Sequence, residues 1–194
     1  MAKQALFGFD RLKFFPVTKN DTSGYKVDAT GAFEVPNAQS MTKDVDSSEN
    51  KIYADDGLYL NLKEWNGINS TITVAELSLE LMEKLGFGEY DAASKTLKAN
   101  PQGENKEFAL TFRILRVDNT YRLFKIFSFT VNEIKESETS TKGSGGGINP
   151  YQIIGTFTGR KFDNRPFDVR DTEDSTDITA AIAWLNAIES AGTP

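Results

Sequence analysis

Residues Glu107–Val131 read EFALTFRILRVDNTYRLFKIFSFTV and decide how the rest of the chain is arranged. From Phe108 to Ile114, large apolar residues alternate with small or polar ones, which is the period of a strand with one buried face. Asp118-Asn119 suits a tight turn between two such strands. We therefore expect a long β-hairpin here rather than a helix.

The second strand of this hairpin changes phase along its length. Large apolar side chains follow one phase up to Ile126 and the opposite phase from Phe127 onward. An extra residue in one strand of an antiparallel pair produces such a change. The sequence therefore predicts a β-bulge near Ile126-Phe127.

Both faces of the hairpin are apolar close to its turn. Phe112 and Phe129 fit a core face, whereas Leu115 and Leu123 lie in the opposite phase from their neighbours. The sheet must therefore be covered on both sides at this end. The cover is either the chain's own helix or another subunit.

The amino-acid composition excludes most kinds of catalytic site. The 194 residues include no histidine and no cysteine, which excludes Ser-His-Asp and Cys-His nucleophilic sites and metal sites built on imidazole or thiolate. We expect no cofactor, no metal and no enzymatic activity. A chain of this length is enough for one core, and we predict a single domain over 1–194.

The charge and hydropathy patterns restrict the partners. A net charge of −6 argues against tight binding of nucleic acid, which needs a basic surface to displace counterions. No run of apolar residues approaches the length of a transmembrane helix, and the N-terminus breaks its apolar content with charges. We expect a soluble chain that has no signal peptide and does not contact a membrane.

The first half of the chain reads as mostly β. We predict a first strand at Leu12–Thr18, irregular structure over 25–38, an extended segment at Gln39–Asp46, a turn at Asn66-Gly67 and a strand at 70–74. The polar stretch 46–56 is predicted to be a loop or hairpin tip.

Two helices are expected. The first lies near Glu76–Leu85, where leucines repeat every four residues and Gly86 can take the left-handed C-terminal position. The second is a C-terminal helix at 178–190, capped by Thr176 or Asp177. Further strands are predicted at Thr96–Lys98 and Tyr151–Arg160, and a flexible Gly-rich loop at 136–147.

Acidic residues near the middle of the chain suggest a calcium loop and an acid-base pair, and we reject both interpretations. Asp44, Asp46, Ser48, Asn50 and Asp55 imitate the ligand spacing of a calcium loop, but Glu49 occupies the position where that loop requires glycine. A solvated hairpin is the better interpretation. Asp55-Asp56 as an acid-base pair is also disfavoured, because adjacent residues on a strand point to opposite faces.

A basic cluster comprises Arg160, Lys161, Arg165 and Arg170. Asp163 and Asp168 interrupt it. Alternating signs weaken the field that a phosphate would experience, so we expect ion pairs within or between subunits rather than phosphate contacts.

Several segments together resemble a known family. KIYADDG at 51–57, TITVAELSLELMEKLGFGEYD at 71–91, ESETSTKG at 136–143 and INPYQIIGTFTGR at 148–160 resemble, in order and spacing, the major tail protein (tail tube) family of long-tailed bacteriophages of Gram-positive bacteria. The resemblance extends from about Leu6 to Trp184.

The resemblance implies a mainly β chain with small α content, an antiparallel β-sandwich or barrel-like tail tube fold with a flanking helix and a C-terminal helix. It implies homo-hexameric rings stacked into a tube, tape measure and tail terminator or tip proteins as partners, and double-stranded DNA that passes through the lumen without tight binding. It places the protein in the virion tail after synthesis in the host cytoplasm.

Within that interpretation, two sets of residues are candidates. Short polar or acidic residues on one strand face are expected to line the lumen: Ser40, Thr42, Asp44 and Asp46. The N-terminal segment and the polar loops at 46–56 and 136–147 are expected to make assembly contacts, together with the two hairpin leucines: Lys51, Tyr53, Asp55, Asp56, Leu115, Leu123, Lys142 and Ser144.

Two other classes of function stay open. A β-sandwich recognition module for carbohydrate or a receptor would present aromatic side chains, for which Trp65 and Trp184 are the available tryptophans. A glycosidase built on two carboxylates is the enzyme class that this composition could supply. Self-assembly accounts better for the two apolar faces of the hairpin.

Overall fold

The computed structural model describes residues 6–54, 57–100, 105–136, 150–172, 177–188 and 191–192. It is mainly antiparallel β with two short helices, which confirms the predicted fold class. The elements are β1 Leu6–Asp21, β2 Gly24–Val27, β3 Phe33–Glu34, β4 Ala38–Ala54, β5 Gly57–Val74, α1 Leu79–Lys84, β6 Gly88–Asp91, β7 Thr96–Ala99, β8 Glu107–Arg116, β9 Tyr121–Glu136, β10 Tyr151–Thr158, β11 Phe167–Asp171, α2 Ile178–Asn186 and β12 Ala191–Gly192.

Ten of the strands form one sheet that curls around a core. Its order is β12-β2-β1-β8-β9-β10-β5-β4, with β3 added to β1 and β11 added to β9. Residues from distant parts of this order, such as Phe14 on β1 and Ile72 on β5, are buried in the same apolar cluster. The sheet is therefore barrel-like, and β6 and β7 form a separate small hairpin beside it.

The hairpin at 107–131 is confirmed as the centre of the sheet. Phe108 pairs with Phe129, and Leu110 pairs with Ile126, so β9 has one more residue than β8 between these pairs. This is the predicted bulge. Asn119 in the turn has a φ of 62°, a left-handed conformation that asparagine tolerates better than most residues.

The core face of this hairpin packs against aromatic side chains of β1 and β10. Phe129 is fully buried between Phe14 and Phe157, whose ring centroids lie 6.2 and 4.9 Å from its own. Burying a side chain of this size contributes about 1.5–3 kcal/mol to folding. The cluster comprises Leu12, Phe14, Phe33, Val35, Ile72, Val74, Leu77, Leu85, Phe108, Leu110, Phe112, Ile126, Phe129, Val131, Ile153 and Phe157.

The opposite face near the turn is covered by the chain's own C-terminal helix. Leu123 is 1% exposed and packs with Ala181 and Leu185 of α2. Lys125 is also buried there, and its Nζ donates to the carbonyl of Ala187 at 2.6 Å. Leu123 therefore offers no surface to another subunit in this conformation, and the alternative that assigned the cover to the chain itself is correct.

The helices begin and end close to the expected signals. The Ser78 hydroxyl accepts from the Leu81 N–H at 3.2 Å, so α1 begins at Leu79 rather than near Glu76. Gly86 has a φ of 98°, the left-handed conformation expected after the helix. Asp177 precedes α2 without a capping side-chain hydrogen bond, and its carboxylate instead pairs with Arg170 at 2.9 Å.

Residues 46–54 of the polar stretch that was predicted to be a loop or hairpin tip lie in a strand, and residues 55 and 56 lie outside the described residues. Strand β4 continues to Ala54. Strand β5 begins at Gly57 and continues past Asn66-Gly67, where a turn was predicted. Asp46 pairs with Gly67 and Ser47 with Trp65, so Asn66 is the extra residue of a bulge. A Cβ on Gly67 would lie 2.7 Å from the Phe157 carbonyl oxygen, which explains glycine at this position.

Other element boundaries also differ from the predicted ones. The first strand covers Leu6–Asp21 rather than Leu12–Thr18, and the segment expected to be irregular contains β2 and β3. The predicted helix at 178–190 ends at Asn186, and residues 189–190 lie outside the described residues. Most of the Gly-rich loop, from residue 137, lies outside them as well.

Strands β10 and β11 behave as one strand interrupted by a short insertion. Thr158 pairs with Ser128 and Phe167 with Ile126, on the same β9 strand. We call residues 159–166 between them the excursion. It is closed by backbone hydrogen bonds between Arg160 and Arg165 at 3.1 Å and between Asn164 and Arg160 at 2.7 Å.

Candidate functional site

The outer half of the β4–β5 hairpin extends beyond the sheet. Strand β10 pairs with β5 from Ile68 to Val74, and in the described chain the rest of β5 pairs with β4 alone. We call residues 46–54 and 57–66 the arm. Nine residues on a strand extend roughly 30 Å, so the arm is as long as a small domain is wide.

The arm exposes apolar side chains. Leu62 is 49% exposed and Trp65 is 38% exposed, while Glu49 and Lys51 form a surface ion pair at 3.4 Å. A two-stranded hairpin without a third strand or a packing partner is marginally stable in water. The arm is therefore the part of the described structure that most needs a partner surface.

The predicted assembly contacts fall in different places. Lys51 is exposed on the arm and pairs with Asn61, and the backbone of Tyr53 lies in β4 opposite Leu58. Leu115 is half-buried at the turn end of β8. Asp55, Asp56, Lys142, Ser144 and residues 1–5 lie outside the described residues. Their role in assembly stays a prediction.

A polar surface adjoins the base of the arm. Ser40, Thr42, Asp44 and Asp46 are all exposed on β4, whereas Met41 packs toward the core. The structure thus brings the four predicted lumen residues together on one strand face, away from the core. The register pairs them with Thr73, Thr71, Asn69 and Gly67 of β5.

This surface continues across β5, β10 and β9, and we call it the polar face. Directly paired residues point to the same side of an antiparallel sheet, so Thr71 and Ile154 adjoin Thr42. The Asn132 amide donates to the Thr156 hydroxyl, which donates to Asn69, each at 3.1 Å. Sequence periodicity indicated these strands, but their adjacency depends on long-range pairing that periodicity does not encode.

The acidic residues of the polar face do not form a metal site. Asp44 and Asp46 follow each other along a straight strand, so their carboxylates are spaced about 7 Å apart rather than arranged around one ion. Within the described ranges, no group of three or more acidic side chains is placed to hold a metal. The calcium-like spacing therefore has no counterpart in the described geometry.

Opposite the polar face, one lysine lies on the open end of the core. Lys43 places its Nζ 4.3 Å from the ring centroid of Phe124 and 5.1 Å from that of Phe112. Partial burial against these rings lowers the pKa of the Lys43 ammonium group. The aromatic rings offer a cation–π contact in return.

The basic cluster is largely neutralised by ion pairs within the chain, as the alternating charges predicted. Arg165 pairs with Asp168 at 2.6 Å, and Arg170 pairs with Asp177 at 2.9 Å. Arg160 is buried over the Phe127 ring at 4.1 Å, and its Nε donates to Asp163 at 3.0 Å. The Lys161 side chain is exposed on the excursion.

Two cavities of the described residues each contain a single carboxylate. A cavity of about 550 Å³ between α1 and β8 is lined by Phe33, Lys84, Lys106 and Phe108, with Glu107 as its carboxylate. A cavity of about 530 Å³ beside β6 and β7 likewise includes one carboxylate, that of Glu89. Glycoside hydrolysis generally uses two facing carboxyl groups. Neither cavity supplies such a pair.

Strand β11 is one of the elements that sequence reasoning missed. Phe167 and Val169 alternate with Asp168 and Arg170, a period-two pattern that is typical of a strand. Each of these apolar side chains is 45% exposed. The alternation was the available signal, and Pro166 marks the point where the strand begins.

Neither a protein-family model nor a curated protein sequence matches this chain. Among solved structures, the chain resembles the cap of the anti-feeding prophage, a tube-terminating cap determined by cryo-EM. The identity is 11%, the alignment covers 89% of this chain and 95% of that chain, and the TM-score is 0.44. A likeness at this level carries no argument about the role of this chain.

In the portion of the chain that the structure describes, neither helix is long and apolar enough to cross a bilayer.

Proposed function

We propose that this chain is a structural subunit that assembles with copies of itself into the tail tube of a bacteriophage. The segments that resemble the tail tube family suggest this identity. One structural observation supports the proposal that copies of the chain assemble with each other. That observation is the arm, a two-stranded ribbon whose Leu62 and Trp65 are exposed to solvent in a single copy. Contact with neighbouring copies would give this ribbon the packing surface it lacks.

The polar face is the proposed wall of the channel. Its side chains are mostly short and neutral, Asp44 and Asp46 add negative charge, and Glu133 is paired at 3.2 Å with Lys135 of the same face. A DNA duplex moving through a channel is slowed by each cation that binds a phosphate, whereas a weakly repulsive wall leaves it mobile. This face supports passage of DNA rather than its retention.

The assembly proposed is a hexameric ring stacked into a tube, as the family resemblance implies. The excess of acidic residues in each copy makes a ring strongly acidic, so assembly should depend on specific contacts rather than on general attraction. Tape measure and tail terminator or tip proteins are the further partners that this function requires. No cofactor or catalytic step is part of it.

The test is the oligomeric state of the purified protein. Light scattering after size-exclusion chromatography and negative-stain electron microscopy should show rings or tubes at micromolar concentration. The variant Leu62→Ser with Trp65→Ser should stay monomeric. The matched control is Leu79→Ser on α1, another exposed leucine that lies away from the arm, and it should assemble normally.

Two results would contradict the proposal. One is a wild-type chain that stays monomeric at every concentration tested. The other is unimpaired tube formation by the doubly substituted arm variant, which would show that the exposed apolar residues of the arm are not assembly contacts.

A further inference from the structure

Lys43 lies on the side of β4 that faces the open end of the core, opposite the polar face. It pairs with the uncharged Ser70 of β5, and its neighbour on the same strand face is Val45. Its Nζ lies 4.3 Å from the ring centroid of Phe124 and 5.1 Å from that of Phe112. The residue as a whole is nevertheless exposed, so small solutes can reach its amine.

The ammonium group of Lys43 lacks an anionic partner among the described residues. Asp44, the next residue, points to the opposite side of the strand. On the facing strands, the charged groups that share the side of these rings are Arg116, Arg122 and Asp171. These three pair with each other, because the Asp171 carboxylate lies 2.6 Å from Arg122 and 3.6 Å from Arg116. Burial against the rings therefore lowers the pKa of Lys43, which increases its neutral fraction at neutral pH.

Six other lysines of the described chain have polar partners. Four of them form ion pairs with a carboxylate: Lys19, Lys51, Lys84 and Lys135. Two donate to a backbone carbonyl, Lys106 to Glu83 and Lys125 to Ala187. An acceptor beside an ammonium group favours its charged form, which has no lone pair for nucleophilic attack. Lys43 differs from these lysines because aromatic rings take the place of the acceptor.

We propose that Lys43 is the preferred site on this chain for acylation by acyl phosphates. The lone pair of the neutral amine attacks the carbonyl carbon, the bond from that carbon to the phosphate oxygen breaks, and inorganic phosphate leaves. The nitrogen releases a proton to solvent, and an amide forms. Val45, which is 66% exposed, and Val169, which is 45% exposed beside Phe124, offer apolar surface to the acyl group. Acylation removes the positive charge and with it the cation–π contacts to both rings.

The relative rates of acetylation test this site. The full-length chain is treated with acetyl phosphate to low conversion under monomeric conditions, and mass-spectrometric peptide mapping gives the rate at each lysine. Near neutral pH, Lys43 should react at least about fivefold faster than Lys26, an exposed lysine of β2. The ratio should fall as the pH rises toward the ordinary pKa of lysine, because the neutral fraction of other amines then increases. Equal rates near neutral pH, or a ratio that does not change with pH, would overturn the proposal.

Two substitutions of Val45 separate charge from access. Val45→Glu places a carboxylate next to Lys43 on the same strand face, which should slow acetylation of Lys43 at least about threefold and leave Lys26 unchanged. Val45→Gln, of the same size but uncharged, should keep the wild-type rate. Val45 is mostly exposed, so both variants should melt at the wild-type temperature.

An uncharged reagent, the N-hydroxysuccinimide ester of acetic acid, should give the same order of rates, which excludes simple repulsion of the anionic donor by the new carboxylate. A glutamate variant that keeps the wild-type rate with this reagent would overturn the proposal. A glutamine variant that slows as much as the glutamate variant would overturn it as well, because access rather than charge would then control the reaction. Neither result bears on the proposed function, which does not depend on Lys43.

Discussion

Two long antiparallel hairpins in this molecule have opposite environments. The β8–β9 hairpin is buried on its core face by aromatic side chains and is covered near its turn by α2 on the other face. The β4–β5 hairpin has a longer register but leaves the sheet at the Asn66-Gly67 bulge and exposes Leu62 and Trp65. The length of a hairpin therefore does not indicate how much it stabilises the fold of one copy. The first hairpin contributes to the fold of one copy, and we propose that the second contributes to the contacts between copies.

Truncating one large aromatic residue on each hairpin tests the difference between them most directly. Phe129→Ala should lower the free energy of unfolding by about 3–5 kcal/mol, because it leaves a cavity between Phe14 and Phe157. Trp65→Ala on the arm should cost about 1 kcal/mol or less in the monomer, since its side chain is already partly solvated. Urea unfolding of both variants under monomeric conditions measures the difference, and equal losses would refute the division between the hairpins.

A smaller effect is expected from one added methyl group on the strand next to Phe129. The Cβ of Gly155→Ala would lie 2.4 Å from the Phe129 ring and 2.4 Å from the Thr130 carbonyl oxygen. Overpacking of this kind costs about 1–3 kcal/mol, and a backbone oxygen cannot move aside cheaply.

The matched control for Gly155 is its neighbour Thr156 on the polar face. Thr156→Ala removes hydrogen bonds to Asn69 and Asn132 at the surface and should cost about 1 kcal/mol or less. Thermal melts would show whether the two faces of β10 differ as expected. A larger loss for the threonine variant would mean that the polar face carries stability that we have not assigned to it.

The sequence predicted the buried hairpin much better than the exposed one. At 107–131, alternation, turn residues and phase change all follow from packing against one core, so they are visible in the chain itself. In the arm, consecutive polar residues such as Ser47, Ser48 and Glu49 interrupt the alternation of apolar and polar residues that predicts a strand. They are consecutive because both sides of the ribbon face solvent in one copy. Asn66-Gly67 added to the error, since the same dipeptide serves a turn or a bulge.

The candidate site was predictable only in part for a related reason. The alternation at 40–46 revealed one strand of the polar face, whereas Asn69, Thr71 and Thr156 join it through pairing between distant segments. Strand β11 takes the place beside β9 that β10 leaves after Thr158. Local periodicity does not contain this pairing either.

The turn end of the buried hairpin makes a weaker contribution, which depends on pH. Arg122 donates to both carboxylate oxygens of Asp171 at 2.6 and 2.8 Å, and this hydrogen bonding lowers the pKa of Asp171. A carboxylate with a lowered folded-state pKa stabilises the fold above its unfolded pKa and loses that contribution as the pH falls through the folded value. Because the pair is partly solvated, its contribution is under about 1 kcal/mol.

Asp171→Asn should therefore be slightly less stable than the wild type at pH 7, and the difference should vanish in acid below the folded-state pKa of Asp171. Urea unfolding at pH 7 and at low pH measures both values. A difference that grows on acidification would show that Asp171 is not stabilised as a carboxylate.

The smallest effect on folding is expected at the base of the arm, where a large change in charge should leave the subunit intact. Asp44 and Asp46 are exposed on the polar face, and exposed substitutions away from packed features usually change stability by about 0.5 kcal/mol or less. Asp44→Lys with Asp46→Lys should thus fold and assemble normally. If this face lines the channel, the added lysines would bind phosphates and slow genome ejection, most strongly at low salt, where screening is weakest. The paired control is Asp44→Asn with Asp46→Asn, which removes the negative charges without adding cations and should slow ejection much less. Virions carrying the lysine variant that eject DNA at the normal rate across all salt concentrations would show that this face lies outside the channel.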